Sequence, residues 1–314
     1  MARGARGSRH LSPRRADGPL VVTGATGTVG APVVRALVAA GADVRAAVRP
    51  GGPAVPPGPA EEVPFDWQDE ATWRPAFAGA HSVFVVRPPQ LGRPRTHMLP
   101  ALAAAREAGV RHLVLLSLQG AEGNRVVPHA TLERWMRGSG VPWTFVRPSF
   151  FMQNLTGTHR DEIRDLSTLV VPAGSGRTAL VDALDVADVA AAALLDPTEH
   201  AGRAWTPTGP EALTYDEVAA VLSAELGREI RYARPGLLRY ARHARASGMP
   251  WGMVAVTSGI YTVARLGRAG GLTDDVRRLT GRSPRDLRHF VARERAAWST
   301  AGRTTGSSGA TMDP

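Results

Sequence analysis

The stretch Leu20-Val21-Val22-Thr23-Gly24-Ala25-Thr26-Gly27-Thr28-Val29-Gly30 decides the fold. Its apolar opening runs straight into three glycines, and a helix-period set, Val33, Val34, Leu37 and Val38, follows and stops at Gly41. A second strand-like run, Val44 to Val48, ends on Arg49. Strand, glycine turn, helix, strand is the opening unit of a dinucleotide-binding sheet. Gly24 makes the tight turn, Gly27 lets a pyrophosphate approach the backbone, and Gly30 allows close helix-to-strand contact. The first N–H groups of the helix, with the positive end of its dipole behind them, would face the phosphates. Spacing alone says little in a chain with 34 glycines. The strand-to-helix context selects this set.

The alternation continues downstream. Pro50 to Pro59 is a Gly/Pro-rich connection, and Glu61 to Trp67 reads as a short third strand with Asp66 near its end. A helix over Gln68 to Phe77 closes at Gly79, and Ser82 to Val86 is a buried fourth strand broken by Arg87-Pro88-Pro89. Leu99 to Ala108 is helical, His112 to Leu116 is a fifth strand that delivers Ser117, and a helix over Ala130 to Arg137 precedes the sixth strand, Trp143 to Arg147, which meets Pro148. This order predicts an α/β fold, a Rossmann-type doubly wound parallel sheet with ligands outside the carboxyl ends of its strands. The loops Gly24 to Gly30, Arg87 to Pro89, Ser117 to Gly120 and Pro148 to Asn154 should share that rim. Beyond Asn154 the pattern turns to short strands and helices, including a capping box at Thr214 and Glu217 and a last helix capped at Ser283 with Pro284 in its first turn. The expected division is a core over 19–155, a smaller, mostly helical C-terminal substrate lobe over 156–300 with some strands returning to the core, and disordered tails over 1–18 and 301–314.

Composition excludes several chemistries. The 314 residues contain no cysteine, so disulfides and thiolate catalysis are out and a reducing cytoplasm is the simplest home. No apolar run is long enough to span a bilayer, so no membrane is expected. All 38 basic residues are arginine, and five of them (Arg3, Arg6, Arg9, Arg14, Arg15) supply about half the net charge of +10 from the N-terminal tail. The tail reads as a disordered, solvated arm, with a nucleic-acid or membrane-surface contact as the alternative. No nucleic-acid-binding signature accompanies its charge. No histidine set has metal-ligand spacing.

The sequence resembles the atypical short-chain dehydrogenase/reductase family that includes NmrA-like proteins and NAD(P)H-dependent quinone and dye reductases. The resemblance is carried by Val22 to Gly30, Val44 to Arg49, Trp143 to Asn154, Asp182 to Ala190, and Leu272 to Val276 with Leu279 to Arg282 and Pro284. It runs from about Leu20 to Trp298 and identifies no substrate. It implies a cofactor site of Gly24, Thr26, Gly27, Thr28, Val29 and Gly30 with the rim residues Arg87, Pro88, Pro148 and Phe150. Asp66 and Trp67 would border the adenine, or be a strand-end cap and a core tryptophan. NADPH is preferred over NADH, because Arg49 follows the second strand where a guanidinium can hold a 2′-phosphate, whereas Asp43 lies before it. The alternative for Arg49 is a solvated surface arginine.

Most short-chain dehydrogenases use a Tyr-x-x-x-Lys pair. This chain has no lysine, and its tyrosines, Tyr215, Tyr232, Tyr240 and Tyr261, all follow the sheet. Alignment with the family puts His129 at the lysine position and Arg125 at the tyrosine position. His129 could hydrogen-bond the nicotinamide ribose or donate a proton with a pKa near working pH, or simply cap a helix. Ser117 could hold a carbonyl oxygen or only form a turn. Gln119, Phe151, Asn154 and Trp251 are candidates for the acceptor side, although at least two of Phe150, Phe151, Met152 and Trp251 should be core packing. Without a strong acid, a reductase needs an acceptor that stabilises its own negative charge, such as a quinone or enone. The expected function is NADPH-dependent reduction of a conjugated or aromatic carbonyl compound, by a monomer or homodimer. The alternative is a non-catalytic NADP(H)-sensing regulator that binds a protein partner.

Overall fold

The computed structural model describes residues 18–55 and 58–299. Apart from Gly18, the two expected tails lie outside the described residues. The chain divides into two compact units: one contains the residues through Phe151 with Ala179–Glu211 and Leu272–Arg285, the other Met152–Thr178, Ala212–Gly271 and the residues from Asp286 onward.

In the first unit, β1 (Leu20–Thr23), β2 (Val44–Val48), β3 (Glu61–Pro64), β4 (Ser82–Val86), β5 (His112–Leu116) and β6 (Trp143–Val146) alternate with α1 (Gly30–Ala39), α2 (Trp73–Phe77), α3 (Pro94–His97), α4 (Leu99–Glu107) and α5 (Pro128–Gly138). The strands pair in parallel in the order β3-β2-β1-β4-β5-β6. Strand order reverses between β1 and β4, the switch point at which such sheets bind dinucleotides. Thr23 fastens that point: its hydroxyl donates to the Phe84 carbonyl at 2.8 Å and accepts from the Val86 N–H at 2.9 Å.

The period-2 geometry of β1 builds both cores at once. Leu20 and Val22 face a layer with Val33, Leu37 and Phe84 that is closed by Val186, Val189 and Leu194 of the helix Ala183–Leu195. Val21 faces the opposite layer, with Phe77, Leu102, Leu113, Leu132 and Met136 from α2, α4, β5 and α5. Every residue of β1 is buried, as a strand covered on both faces requires.

Several elements differ from the sequence reading. β3 stops at Pro64, and Trp67 turns inward, edge-on to Phe65 at 4.8 Å between ring centroids. The single helix expected over Gln68 to Phe77 is a 3-10 turn, Glu70–Thr72, capped by Asp69, followed by α2. A seventh strand, Arg203–Trp205, pairs with β6. With three residues, two of them exposed, it leaves no apolar run to read. The last helix is Leu287–Arg293, capped by Asp286 and not by Ser283; the Asp286 carboxylate accepts from the His289 N–H at 2.7 Å.

The returning segment Leu272–Arg285 is held by charge. Asp185, fully buried on the helix Ala183–Leu195, accepts from Arg282, from the Arg285 guanidinium and from the Arg285 N–H, and Asp188 receives both guanidinium groups. Burial still raises the Asp185 pKa, against the pull of both arginines.

The second unit carries the helices Arg160–Leu166, Tyr215–Leu226, Leu237–Ala246, Trp251–Arg265 and Leu287–Arg293. The capping box appears where expected, with Glu217 N–H donating to Thr214 Oγ1 at 3.2 Å and Thr214 N–H to Glu217 Oε2 at 2.8 Å. All four tyrosines of the chain meet here, with Tyr215 against Tyr232 and Tyr261, and Tyr261 against Tyr240. Burial raises the pKa of each.

Candidate active site

The glycine loop is built by exclusion. Gly24 has φ of +63°, the left-handed region where a side chain is strained. A Cβ on Gly30 would lie 2.0 Å from the Gly24 carbonyl oxygen. The third glycine therefore admits the first turn of its own loop, a tighter requirement than helix-to-strand packing. Thr26, Gly27 and Thr28 are exposed above it, while Val29 is buried. No side chain caps α1, and its first turn has no acid. The Ala31 N–H donates back to the Gly27 carbonyl at 3.0 Å and Pro32 has no N–H, so what this end offers an anion is the exposed loop backbone with the helix dipole behind it.

At the end of β2 the Arg49 guanidinium is exposed and has no side-chain partner among the described residues. Asp43 lies at the opposite end of the strand, its carbonyl accepting from the Leu20 N–H at 2.8 Å. Beyond β3, the Asp66 carboxylate accepts from the Gln68 N–H at 2.9 Å, and the Asp66 carbonyl accepts from the Trp73 indole at 2.8 Å. The Trp67 ring is part of the core.

The loop after β4 is held by Arg87, whose Nη1 donates to the carbonyls of Pro88, Pro89 and Leu91 at 2.9, 3.1 and 3.2 Å. The Arg87 guanidinium thus shapes its own loop. Its Nε makes a long contact of 3.5 Å to His129 Nε2 in the first turn of α5. Val127 and not His129 occupies the cap position. Burial, with Arg87 beside it and Glu133 only partly opposing, lowers the His129 pKa to about 4. The sequence expectation of a proton donor near working pH is corrected on this point: a half-buried imidazole beside a guanidinium stays neutral. With Nε2 facing a donor, the ring proton sits on Nδ1, and Nδ1 is buried without a partner. Nδ1–H is thus a donor left without an acceptor among the described residues.

Ser117 also has a different task from the one expected. Its hydroxyl donates to Glu133 Oε1 at 2.7 Å. Glu133 is fully buried on α5 and receives Arg147 Nε at 2.9 Å, Arg147 Nη2 at 2.7 Å and Arg137 Nη2 at 2.9 Å. Burial opposes its charge, yet the bonds from Arg147 and Ser117 outweigh it and lower the Glu133 pKa. Arg147 reaches outward to Glu122 at 3.0 Å. The carboxyl ends of β5 and β6 are thereby fixed to α5 from within. Glu133 and Arg147 were absent from the sequence-derived site. The legible signal was an acid on the apolar stripe of α5, in phase with Ala130, Leu132 and Met136.

Pro148 is buried, and its carbonyl accepts from the Gln119 N–H at 3.0 Å, joining two rim loops. The neighbouring Ser149 is buried with its hydroxyl unpartnered, a further polar atom on the rim that sequence reasoning passed over. Phe150 and Phe151 pair with Leu180 and Val181, and both rings are half-buried. Met152 is core. Asn154 and Trp251 belong to the second unit, where Asn154 is exposed and Trp251 lies open to solvent under the Arg245 guanidinium. A groove of about 820 Å³ lined by Glu70, Trp73, Arg74, Pro100, Ala104 and Glu107 shares no residue with the rim.

Residues 17–237, well over half the chain, match the NmrA-like family. The chain belongs to the NmrA-like family. Curated relatives of this NmrA-like chain include an NAD(P)H azoreductase of Xenophilus azovorans, 35% identical over 90% of the chain and 100% of the relative. A (4-alkanoyl-5-oxo-2,5-dihydrofuran-3-yl)methyl phosphate reductase of Streptomyces griseus subsp. griseus is 37% identical over 89% of the chain and 99% of the relative. Among solved structures, the Citrobacter sp. triphenylmethane reductase complexed with NADP(H) superposes with a TM-score of 0.73 at 25% identity, covering 88% of the chain and 99% of that structure.

Proposed function

We propose that this NAD(P)H-dependent oxidoreductase uses NADPH to reduce a conjugated or aromatic carbonyl acceptor, such as a quinone or enone, without a Tyr/Lys pair. The observation that carries the reading is the neutral His129, whose buried Nδ1 has no partner. The residues fit the cofactor: a helix N-terminus with no side-chain cap, a glycine loop with no room for a Cβ at Gly30, and an exposed Arg49, without a side-chain partner among the described residues, at the strand end where a 2′-phosphate would be read. When bound, the reduced nicotinamide supplies the hydride.

The chain's own residues then orient and solvate. His129 donates from Nδ1 to the acceptor or ribose oxygen, Arg87 holds the β4 loop, and Ser117, Glu133 and Arg147 fix the floor. No tyrosine is given the acid's role, since burial raises the pKa of all four phenols. An acceptor that delocalises the developing charge needs only a hydrogen-bond donor and a proton from water. The azoreductase and the dihydrofuranone phosphate reductase carry names of this acceptor type, an azo group and an unsaturated carbonyl compound.

NADPH binding and oxidation, measured with and without a panel of quinones and enones, tests the reading. Arg49→Ala is expected to weaken NADPH roughly tenfold through KM, leaving kcat and NADH almost unchanged. Equal effects on the two cofactors would remove Arg49 from 2′-phosphate recognition. The rate should also show no inflection between about pH 5.5 and about pH 8, because His129 is already neutral there. An inflection abolished by His129→Gln would return the imidazolium to the mechanism. NADPH binding without turnover on any acceptor favours the sensor, the reading to which the missing Tyr/Lys pair also leads.

A further inference from the structure

The helix Trp251–Arg265 buries Val254, Tyr261 and Ala264. On the opposite arc it exposes Met253, Val256, Ile260 and Val263, 42–56% open, with Gly252, Ala255 and Gly259 between them, and Leu266 continues the arc. No polar side chain lies on that arc. A helix that is apolar all round is normally covered. The preceding helix, Leu237–Ala246, is joined to it by the Tyr240 hydroxyl bonding Thr257 Oγ1 at 2.8 Å, and exposes Leu237 and Leu238.

Charge narrows the partner. Between Glu229 and Asp274 the sequence has no acidic residue. Arg239, Arg242, Arg245 and Arg268 are exposed, and none has a carboxylate partner among the described residues. A second copy docked on this face would bring arginines against arginines with no acid to pair them. An anionic bilayer surface satisfies both features, taking the apolar arc among its acyl chains and the guanidinium groups among its headgroups. Trp251, 65% exposed with the Arg245 guanidinium 5.2 Å from its ring centroid, is the kind of pair that sits at that boundary. The helix is about 22 Å long, too short to cross a hydrocarbon core of about 30 Å, and no described helix is long and apolar enough to span. The sequence expectation of no membrane rested on the lack of a spanning run, and an in-plane helix departs from it.

We propose that the helices Leu237–Ala246 and Trp251–Arg265 form a peripheral docking face for anionic lipid. The full chain should co-sediment with vesicles of phosphatidylcholine and phosphatidylglycerol and not with phosphatidylcholine alone. Val256→Glu with Ile260→Glu, two exposed positions whose change leaves the fold and NADPH binding intact, should weaken that binding roughly tenfold or more. Arg239→Gln with Arg242→Gln should reduce the preference for anionic vesicles. Three outcomes would overturn the proposal: no vesicle binding by the full chain; binding unchanged in the Val256/Ile260 variant, which would move it to the arginine-rich N-terminus; or a dimer in solution that this variant converts to monomer.

Discussion

Replacing Glu133 by alanine should cost about 3–5 kcal/mol of stability, because it strands a buried guanidinium. Arg147 would keep only the exposed Glu122, and the Ser117 hydroxyl would lose its acceptor. Against a typical total of about 5–15 kcal/mol this removes from about a fifth to the whole of the margin. Denaturant titration measures it. A loss within about 1 kcal/mol would show that the cluster is not the clamp described. The double replacement Glu133→Leu with Arg147→Met should be far milder, since no buried charge is then left unpaired.

The same cluster fixes the acid limit. A carboxylate whose pKa is lowered on folding contributes stability that is complete above the ordinary value of 4.5 and is lost as pH falls through the folded one. His129 and His112 act in the same direction from higher pH. Each is lowered from 6.5 to about 4, so the unfolded chain binds more protons in that interval and stability drops as pH falls across it. The chain should therefore lose stability steadily from about pH 6.5 downward, and His112→Gln should flatten the upper part of the slope.

The second large effect is expected at Gly30. Alanine there would place its Cβ 2.0 Å from the Gly24 oxygen and 2.7 Å from the Gly24 carbonyl carbon, both backbone atoms with no rotamer to give way. The loop and the start of α1 must separate, moving the N–H groups proposed to face the phosphates from their positions. NADPH affinity should fall by roughly two orders of magnitude, with a stability loss of about 1–3 kcal/mol. Gly138→Ala, at a helical position with nothing within 4 Å, is the control and should be neutral. Unchanged NADPH binding in the Gly30 variant would remove the loop from the cofactor site.

The sequence by itself determined the layers, helices on both faces of a parallel sheet, and the glycine turn between β1 and α1. Those depend on local signals, namely periodicity, glycine geometry and strand termini, which act over a few residues around Leu20 to Arg49. It also determined that no lysine could take part. What only the tertiary structure decided was pairing and burial. That Asp185 and Asp188 meet Arg282 and Arg285 across about a hundred residues, that Ser117 spends its proton on Glu133, and that His129 is held neutral beside Arg87 are consequences of which groups the fold brings into contact and removes from water. The open face of the helix Trp251–Arg265 is the same lesson reversed. Only the exposure of its apolar residues shows that the fold leaves them uncovered, because hydrophobicity specifies burial but not the partner that provides it.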